Sequence, residues 1–174
     1  MSVAEDKLDG SEPACFQSGH VIGGRYEVRG LLGQGGFGAV YLALHRDLHR
    51  EVAVKVLLPQ LVDNAEVVTR FVREARSAAS IGHPGIVEVF DLGSDKDGVY
   101  LAMEKLQGEE LHDRIERESP LPISFVAKVG MEIADAVHAA HEIGVIHRDL
   151  KPQNIFLAKQ GNRGREIVKV LDFG

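Results

Sequence analysis

The chain has 174 residues, of which 44% are hydrophobic and 26% are charged, a balance typical of a globular protein and unlike that of a disordered chain. Its 20 Lys and Arg residues against 26 Asp and Glu residues give a net charge of −6, which argues against a nucleic-acid partner because an acidic surface repels phosphate backbones. The single cysteine, Cys15, excludes an internal disulfide and favours a cytoplasmic location, and no run of about 18 apolar residues predicts a membrane span.

The first part of the chain predicts a leader followed by strands. Residues 1–20 are rich in Ser, Glu, Asp and Gly without apolar periodicity, so we expect a flexible leader, with the fold beginning near Val21. Apolar residues cluster on either side of a glycine-rich segment within residues 26–44, and a second β-rich run covers residues 51–58. These runs predict three strands of a small antiparallel sheet.

A helix and a hairpin are predicted next. Apolar residues between positions 64 and 81 follow helical spacing, with Asp63 or Asn64 available as the N-cap and Gly82 as the terminator. The turn-rich segment 93–98 lies between two apolar runs, which is typical of a hairpin. The hairpin brings the predicted sheet to five strands.

The second part of the chain predicts helices. A short helix is expected near residues 110–118 and a long one over residues 124–143, closed by Gly144. One stripe of the long helix is apolar and consists of Val126, Val129, Ile133, Val137 and Ala140. The chain therefore changes from β-rich to helical near Gly108, and short apolar runs alternate with polar loops after the long helix.

The glycine-rich segment predicts a phosphate-binding loop. It comprises Gly33, Gln34, Gly35, Gly36, Phe37 and Gly38, with Val40 two residues further on. Glycines allow main-chain N–H groups to approach anionic oxygens closely. A dinucleotide fold would need a helix directly after the glycines, and a Walker A loop would need Lys where Ala39 stands. A glycine-rich hairpin lid or an ordinary flexible hairpin remains.

Lys55 and Glu74 are candidates for an inward-facing ion pair. Strand alternation places Lys55 on the same face as Ala53, and the helical stripe places Glu74 towards the sheet. Burying an ammonium without a partner is costly. We therefore expect the two side chains to pair and to hold a diphosphate, with an edge-strand lysine that reaches water as the alternative.

The loop 147–154 combines a histidine, two cations, a carboxylate and an amide. Asp149 can accept a hydroxyl proton, Lys151 can neutralise a transferring phosphoryl group, and Asn154 can bind a metal. Asp172 follows an apolar run, and a carboxylate there suits Mg²⁺ together with phosphate oxygens.

These motifs, in this order, resemble the eukaryotic-like (Hanks-type) bacterial serine/threonine protein kinases, from the glycine-rich segment to Asp172-Phe173-Gly174. The resemblance implies an α+β, protein-kinase-like fold with a five-stranded antiparallel N-lobe that contains one helix, followed by the first part of a helical C-lobe. We expect the N-lobe to cover residues 21–103, the hinge residues 104–106 and the incomplete C-lobe residues 107–174.

The resemblance also implies roles for single residues. The glycine-rich loop would cover the ATP phosphates, and Lys55, paired to Glu74, would bind them. The adenine would lie between Val40 and Ala53 above and Phe156 below, next to Met103 and the hinge residues Glu104 and Leu106. Asp149 would be the catalytic base, Lys151 would bind phosphate, Asn154 and Asp172 would bind Mg²⁺ or Mn²⁺, and His147 and Phe173 would pack together.

The family continues beyond an Asp-Phe-Gly motif with a substrate-binding region, so we expect the 174-residue chain alone to have little activity and to expose the apolar stripe of its long helix. The predicted partners are ATP and a protein with a Ser or Thr acceptor. The alternatives are a non-catalytic ATP-binding or regulatory kinase fragment and a small-molecule phosphotransferase of kinase-like fold.

Overall fold

The computed structural model describes residues 16–36, 38–161 and 165–173. A six-stranded antiparallel sheet forms the first half, in the order β1-β2-β3-β4-β6-β5. The strands are β1 (Val21–Ile22), β2 (Tyr26–Gln34), β3 (Gly38–His45), β4 (Arg50–Leu57), β5 (Val89–Asp95) and β6 (Gly98–Glu104). The sequence predicts five of them, and the sixth, β1, has only two residues, which is too short for an apolar pattern to reveal.

The sheet is held together by apolar and aromatic side chains that its strands bury in one cluster. Ile22, Tyr26, Val28, Tyr41 and Val54 are almost completely buried in one cluster. Phe16 packs against this cluster. The part of the predicted leader from residue 16 onward therefore contacts the sheet, whereas residues 1–15 lie outside the described residues.

Helix α1 (Ala65–Ile81) confirms the predicted helix and both of its caps. The Asn64 side chain accepts hydrogen bonds from the N–H groups of Glu66 and Val67, and Gly82 ends the helix with a left-handed φ of 61° that glycine adopts without steric cost. Phe71 and Ala75 on α1 pack into one apolar cluster with Leu57 and Leu101 of the sheet. This packing fixes α1 against β4 and β6.

The second half contains helices α2 (Leu111–Glu118) and α3 (Ile123–Glu142) and a three-stranded sheet, β7-β8-β9. Its strands are β7 (Gly108–Glu110), β8 (Ile155–Gln160) and β9 (Arg165–Val170). The sequence shows this sheet only as short apolar runs, because its strands come from distant parts of the chain. None of the helices in the described ranges is long and apolar enough to cross a bilayer.

The sequence predicts an exposed apolar stripe on α3, but most of this stripe is covered in the structure. Of the predicted stripe, Val129 and Ala140 are buried in one cluster with Ile155 and Val168 of the small sheet, and Ile133 packs against this cluster. Val126, at the edge of the predicted stripe, is 53% exposed. The expectation of an uncovered stripe is therefore wrong for most of its length, because the small sheet supplies the packing partner.

Candidate functional site

A cavity of about 490 Å³ lies where α1, β4 and the segment after α3 meet. Six of the polar residues predicted to carry chemistry line it, namely Lys55, Glu74, Asp149, Lys151, Asn154 and Asp172. They come from four separate stretches of the chain. The fold therefore brings together in one place the charged groups that the sequence analysis selected one by one.

Hydrogen bonds between the loop 147–154 and the end of β9 bring Asp149, Asn154 and Asp172 together. The His147 ring is buried, with its Nε2 atom 2.8 Å from the Leu171 carbonyl oxygen. The Leu171 N–H in turn donates to the Asn154 carbonyl at 2.9 Å. The His147 ring also packs on Phe173, with ring centroids 4.7 Å apart, as expected for a packing role.

Two residues of the site have a backbone conformation that is rare for side chains other than glycine. Arg148 has a φ of 64° and Asp172 a φ of 49°. Such conformations cost on the order of 1 kcal/mol or more each and tend to be retained at functional sites. The first of these conformations lies directly before Asp149, and the second lies at Asp172 itself.

Asp149 forms an ion pair with Lys151, whose Nζ atom lies 2.7 Å from Asp149 Oδ2. The Asn154 amide also donates to this carboxylate, at 3.2 Å, and to the Asp149 carbonyl oxygen, at 2.8 Å. The Lys151 ammonium is the main reason that the pKa of Asp149 is lowered from its ordinary value. Asp149 is therefore an ionised hydrogen-bond acceptor at neutral pH.

Lys55 pairs with Asp172 rather than with Glu74. The Lys55 Nζ atom lies 2.6 Å from Asp172 Oδ1, and no ion pair within 4 Å joins Lys55 to Glu74 among the described residues. Burial raises the pKa of Glu74 above its ordinary value, although the nearby Lys55 opposes this shift. The predicted Lys55–Glu74 pair is therefore wrong for this conformation, because the position of α1 leaves Asp172 closer to the ammonium.

The chemistry of the predicted metal ligands fits Mg²⁺. Asp172 offers a carboxylate that is 49% exposed. The Asn154 amide nitrogen donates to Asp149, which leaves the Asn154 amide oxygen as the donor atom for a cation. Mg²⁺ binds to one or two such oxygen ligands plus phosphate oxygens and waters. The described residues contain no cluster of three or more His, Cys, Asp or Glu side chains suited to a metal, so a phosphate group would have to complete this site.

The glycine-rich segment connects β2 to β3, and its glycines differ in their surroundings. A Cβ atom added to Gly33, Gly35 or Gly36 would meet no atom within 4 Å, whereas one on Gly38 would lie 2.5 Å from the Val56 carbonyl oxygen. Gln34 lies at the end of β2, and Phe37 lies outside the described residues. Gly33, Gly35 and Gly36 therefore border open space at the connection between β2 and β3, and Gly38 allows β3 to approach β4.

The residues expected to surround the adenine lie on β3, β4, β6 and β8. Val40 pairs with Lys55, and Ala53 pairs with Met103. Met103 also lines a second, smaller pocket together with Lys55 and Asp172. Phe156 is half-buried on β8, and Leu106 is half-buried in the segment between β6 and β7. No single cavity in the described part of the chain is lined by all of these residues.

Lys169 is a buried residue that the sequence analysis missed. It forms an ion pair with Glu104 of the predicted hinge, and its residue surface is only 9% exposed. The signal in the sequence was a lysine within the apolar run 167–171, but the pattern alone does not show whether such a lysine reaches water or a carboxylate.

Comparison with known proteins gives consistent results. The family model described as protein kinase domain matches residues 26–174. A probable serine/threonine-protein kinase of Clostridium perfringens is 41% identical over 90% of the chain, and the serine/threonine-protein kinase PrkC of Bacillus subtilis is 40% identical over 90% of the chain. The chain spans only 22% and 23% of the lengths of these two relatives.

A solved structure resembles the fold described above. The crystal structure of the Mycobacterium tuberculosis PknI kinase domain superposes with a TM-score of 0.78 at 32% identity. The match covers 91% of this chain and 63% of that one. Most of this chain thus follows an architecture already seen by crystallography.

Proposed function

The chain belongs to the protein kinase family, and from that premise we propose that it carries the ATP-binding and phosphoryl-transfer residues of a serine/threonine protein kinase. The proposed reaction transfers the γ-phosphate of ATP to Ser or Thr hydroxyls of a protein, with Mg²⁺ as cofactor. The observation that supports this most strongly is the convergence of Lys55, Asp149, Lys151, Asn154 and Asp172 on one cavity. N-lobe, hinge and C-lobe are proposed to divide at residues 104–106.

In this proposal the phosphates of the nucleotide are bound by main-chain N–H groups of the glycine-rich segment and by the Lys55 ammonium. The space over Gly33, Gly35 and Gly36 allows phosphate oxygens to approach main-chain N–H groups. The Lys55 side chain is 17% exposed, so its ammonium is poorly hydrated and gains from a second anionic partner. Binding of a phosphate would compete with Asp172 for this ammonium.

Asp149 is proposed to orient the acceptor hydroxyl and take its proton. Because Lys151 holds the pKa of Asp149 low, the carboxylate is ionised and ready to accept a hydrogen bond at neutral pH. Lys151, which is exposed beside it, can move to the transferring phosphoryl group and neutralise its charge. Mg²⁺ bound by Asn154 and Asp172 would supply further charge neutralisation at the phosphate oxygens.

The first test is nucleotide binding, because it depends on residues described here. Calorimetric titration of the chain with ATP and Mg²⁺ should show binding, and Lys55→Met should weaken it by about 10- to 100-fold, as loss of a charged hydrogen bond would. Lys159→Met, on the exposed end of β8, is the matched control and should bind as the unaltered chain does. A folded chain that does not bind ATP would contradict the proposal.

The second test is phosphoryl transfer from ATP labelled at the γ-phosphate, measured in the full-length protein because the 174-residue chain alone is expected to have little activity. Asp149→Asn should reduce transfer by about 100-fold or more, since general-base positions contribute factors of that size, while ATP binding stays within a few fold. Phosphoamino-acid analysis should yield phosphoserine or phosphothreonine. Transfer to tyrosine, or full activity of Asp149→Asn in the protein, would contradict the assigned reaction or the assigned base.

A further inference from the structure

Lys169 lies on β9 and is one of three buried polar or charged residues in the described part of the chain. The other two, His147 and Asn154, belong to the loop of the site described above. Burying an ammonium is costly unless it is paired and hydrogen-bonded. The buried Lys169 ammonium therefore needs polar partners that are held in fixed positions.

Lys169 has two partners, one at the end of β6 and one in the segment between α1 and β5. Its Nζ atom contacts Glu104 Oε1 and lies 3.3 Å from the Ile86 carbonyl oxygen. The same Glu104 oxygen accepts a hydrogen bond from the Glu88 N–H at 2.9 Å, and the Glu104 N–H donates to the Glu88 carbonyl at 2.9 Å. One carboxylate thus ties β9, the segment before β5 and the end of β6 together.

The position of Lys169 on β9 also relates it to two other site residues. Its cross-strand partner on β8 is Phe156, and directly opposed residues in an antiparallel pair place their side chains on the same face. Asp172 follows three residues later. The main chain of β9 is fixed at this point as well, because the Val170 N–H donates to the Gly85 carbonyl oxygen at 2.8 Å.

We propose that Lys169 is a positioning residue that sets base selectivity, by holding the Glu104 hinge segment and the Phe156 strand in register around the purine. This inference rests on the proposed function and on the expected position of the adenine next to the hinge residues Glu104 and Leu106, whose main chain would then hydrogen-bond to the purine edge. Without the ammonium, the Glu104 carboxylate would turn towards water and the end of β6 could shift relative to β8. Contacts to the purine edge would then weaken, whereas contacts of Lys55 and Asp172 to phosphates and Mg²⁺ would not.

The experiment compares three ligands with four forms of the chain. Dissociation constants for ATP, GTP and adenosine are measured by calorimetry in Mg²⁺ buffer for the unaltered chain, Lys169→Met, Lys169→Arg and Lys128→Met. Lys128 is the matched control, because its ammonium also contacts one carboxylate, Glu132 at 3.2 Å, and one carbonyl, Glu166 at 2.8 Å. It lies on α3 and should leave the ATP to GTP ratio unchanged. Thermal unfolding of each variant is recorded in parallel.

We expect the unaltered chain to prefer ATP over GTP and Lys169→Met to reduce that preference by roughly tenfold, within the range for residues that act without touching the ligand. Adenosine binding should weaken by the same factor as ATP binding, and Lys169→Arg should restore most of the preference. A purely structural role would lower the unfolding temperature and leave the ratio unchanged, which would overturn the inference.

Two further outcomes are informative. If Lys169→Met does not fold, the ratio of ATP to GTP affinity is measured on Glu104→Gln and Lys169→Arg instead. An unchanged ratio in Glu104→Gln would overturn the inference. If the unaltered chain folds but binds no ATP, the proposed function itself fails. Equal binding of ATP and GTP by a chain that does bind ATP would overturn the role of Lys169 alone.

Discussion

The glycine-rich connection between β2 and β3 offers a sharp test, because its glycines are predicted to serve two different purposes. In Gly38→Ala, the new Cβ atom would lie 2.5 Å from the Val56 carbonyl oxygen. Carbon and oxygen atoms normally approach to about 3.3–3.6 Å, so β3 and β4 must separate where Gly38 pairs with Leu57. Overpacking of this kind costs roughly 1–3 kcal/mol.

In Gly35→Ala, by contrast, the new methyl group would meet no protein atom within 4 Å. The free energy of unfolding should therefore change by less than about 0.5 kcal/mol, as for other surface substitutions without a contact. The methyl group would instead occupy space that we assign to phosphate oxygens. We expect a clear loss of ATP affinity with little loss of stability.

Thermal and urea unfolding, together with calorimetric titration with ATP and Mg²⁺, separate the two effects. Gly38→Ala should lower the unfolding temperature by about 2–4 °C for each kcal/mol lost, given the size of the chain. Gly35→Ala should unfold with the unaltered chain but bind ATP more weakly. Equal stability of the two variants would show that Gly38 is not needed for the approach of β3 to β4, and unchanged ATP affinity in Gly35→Ala would show that Gly35 does not border bound phosphate.

Three further predictions concern stability. Asn64→Ala removes the N-cap of α1 and should cost about 1 kcal/mol, measured by urea unfolding, whereas no change would show that water replaces the cap. Glu109 pairs with Arg117 and Arg114, which lower its pKa to about 2. The stability that these ion pairs contribute should be complete above the unfolded pKa of Glu109, near 4.5, and should disappear as the pH falls towards 2. Glu109→Gln should flatten that part of the pH profile of stability, and an unchanged profile would show that Glu109 does not stabilise the fold in this way. Burial raises the pKa of Glu74, so the charge of this carboxylate opposes folding at neutral pH. Glu74→Gln should therefore be at least as stable as the unaltered chain at pH 7, and the difference in stability should vanish in acid. A less stable variant would indicate that Glu74 takes part in a favourable ion pair.

Elements with local signals could be predicted from the sequence. The boundaries of α1 follow from apolar spacing, a side-chain cap at Asn64 and a glycine at position 82, all of which act within a few residues. The small sheet could not be predicted in this way, because β7 pairs with β8 across about 50 residues that include α2 and α3. Strand β1 was missed for a different reason, since two residues carry no periodicity.

The candidate site shows the same division. Motif order and residue chemistry selected the charged residues that share the cavity, and the faces of Lys55 and Glu74 followed from strand and helix periodicity. Periodicity does not determine the distance between two elements, so it could not show that Lys55 pairs with Asp172 instead. Lys169 was missed because its partner, Glu104, lies 65 residues away in sequence.

We propose that this cavity binds ATP together with a magnesium ion held by Asp172 and Asn154. The most direct test is a titration of the chain with ATP, with Mg²⁺ and with a chelator, for the unaltered chain and Asp172→Asn. We predict that Mg²⁺ strengthens ATP binding to the unaltered chain, and that Asp172→Asn loses this gain but keeps metal-free binding, because Lys55 is released from its ion pair. A folded chain that does not bind ATP would exclude nucleotide binding at this cavity, and an Asp172→Asn variant that retains the full effect of Mg²⁺ would exclude Asp172 as a magnesium ligand.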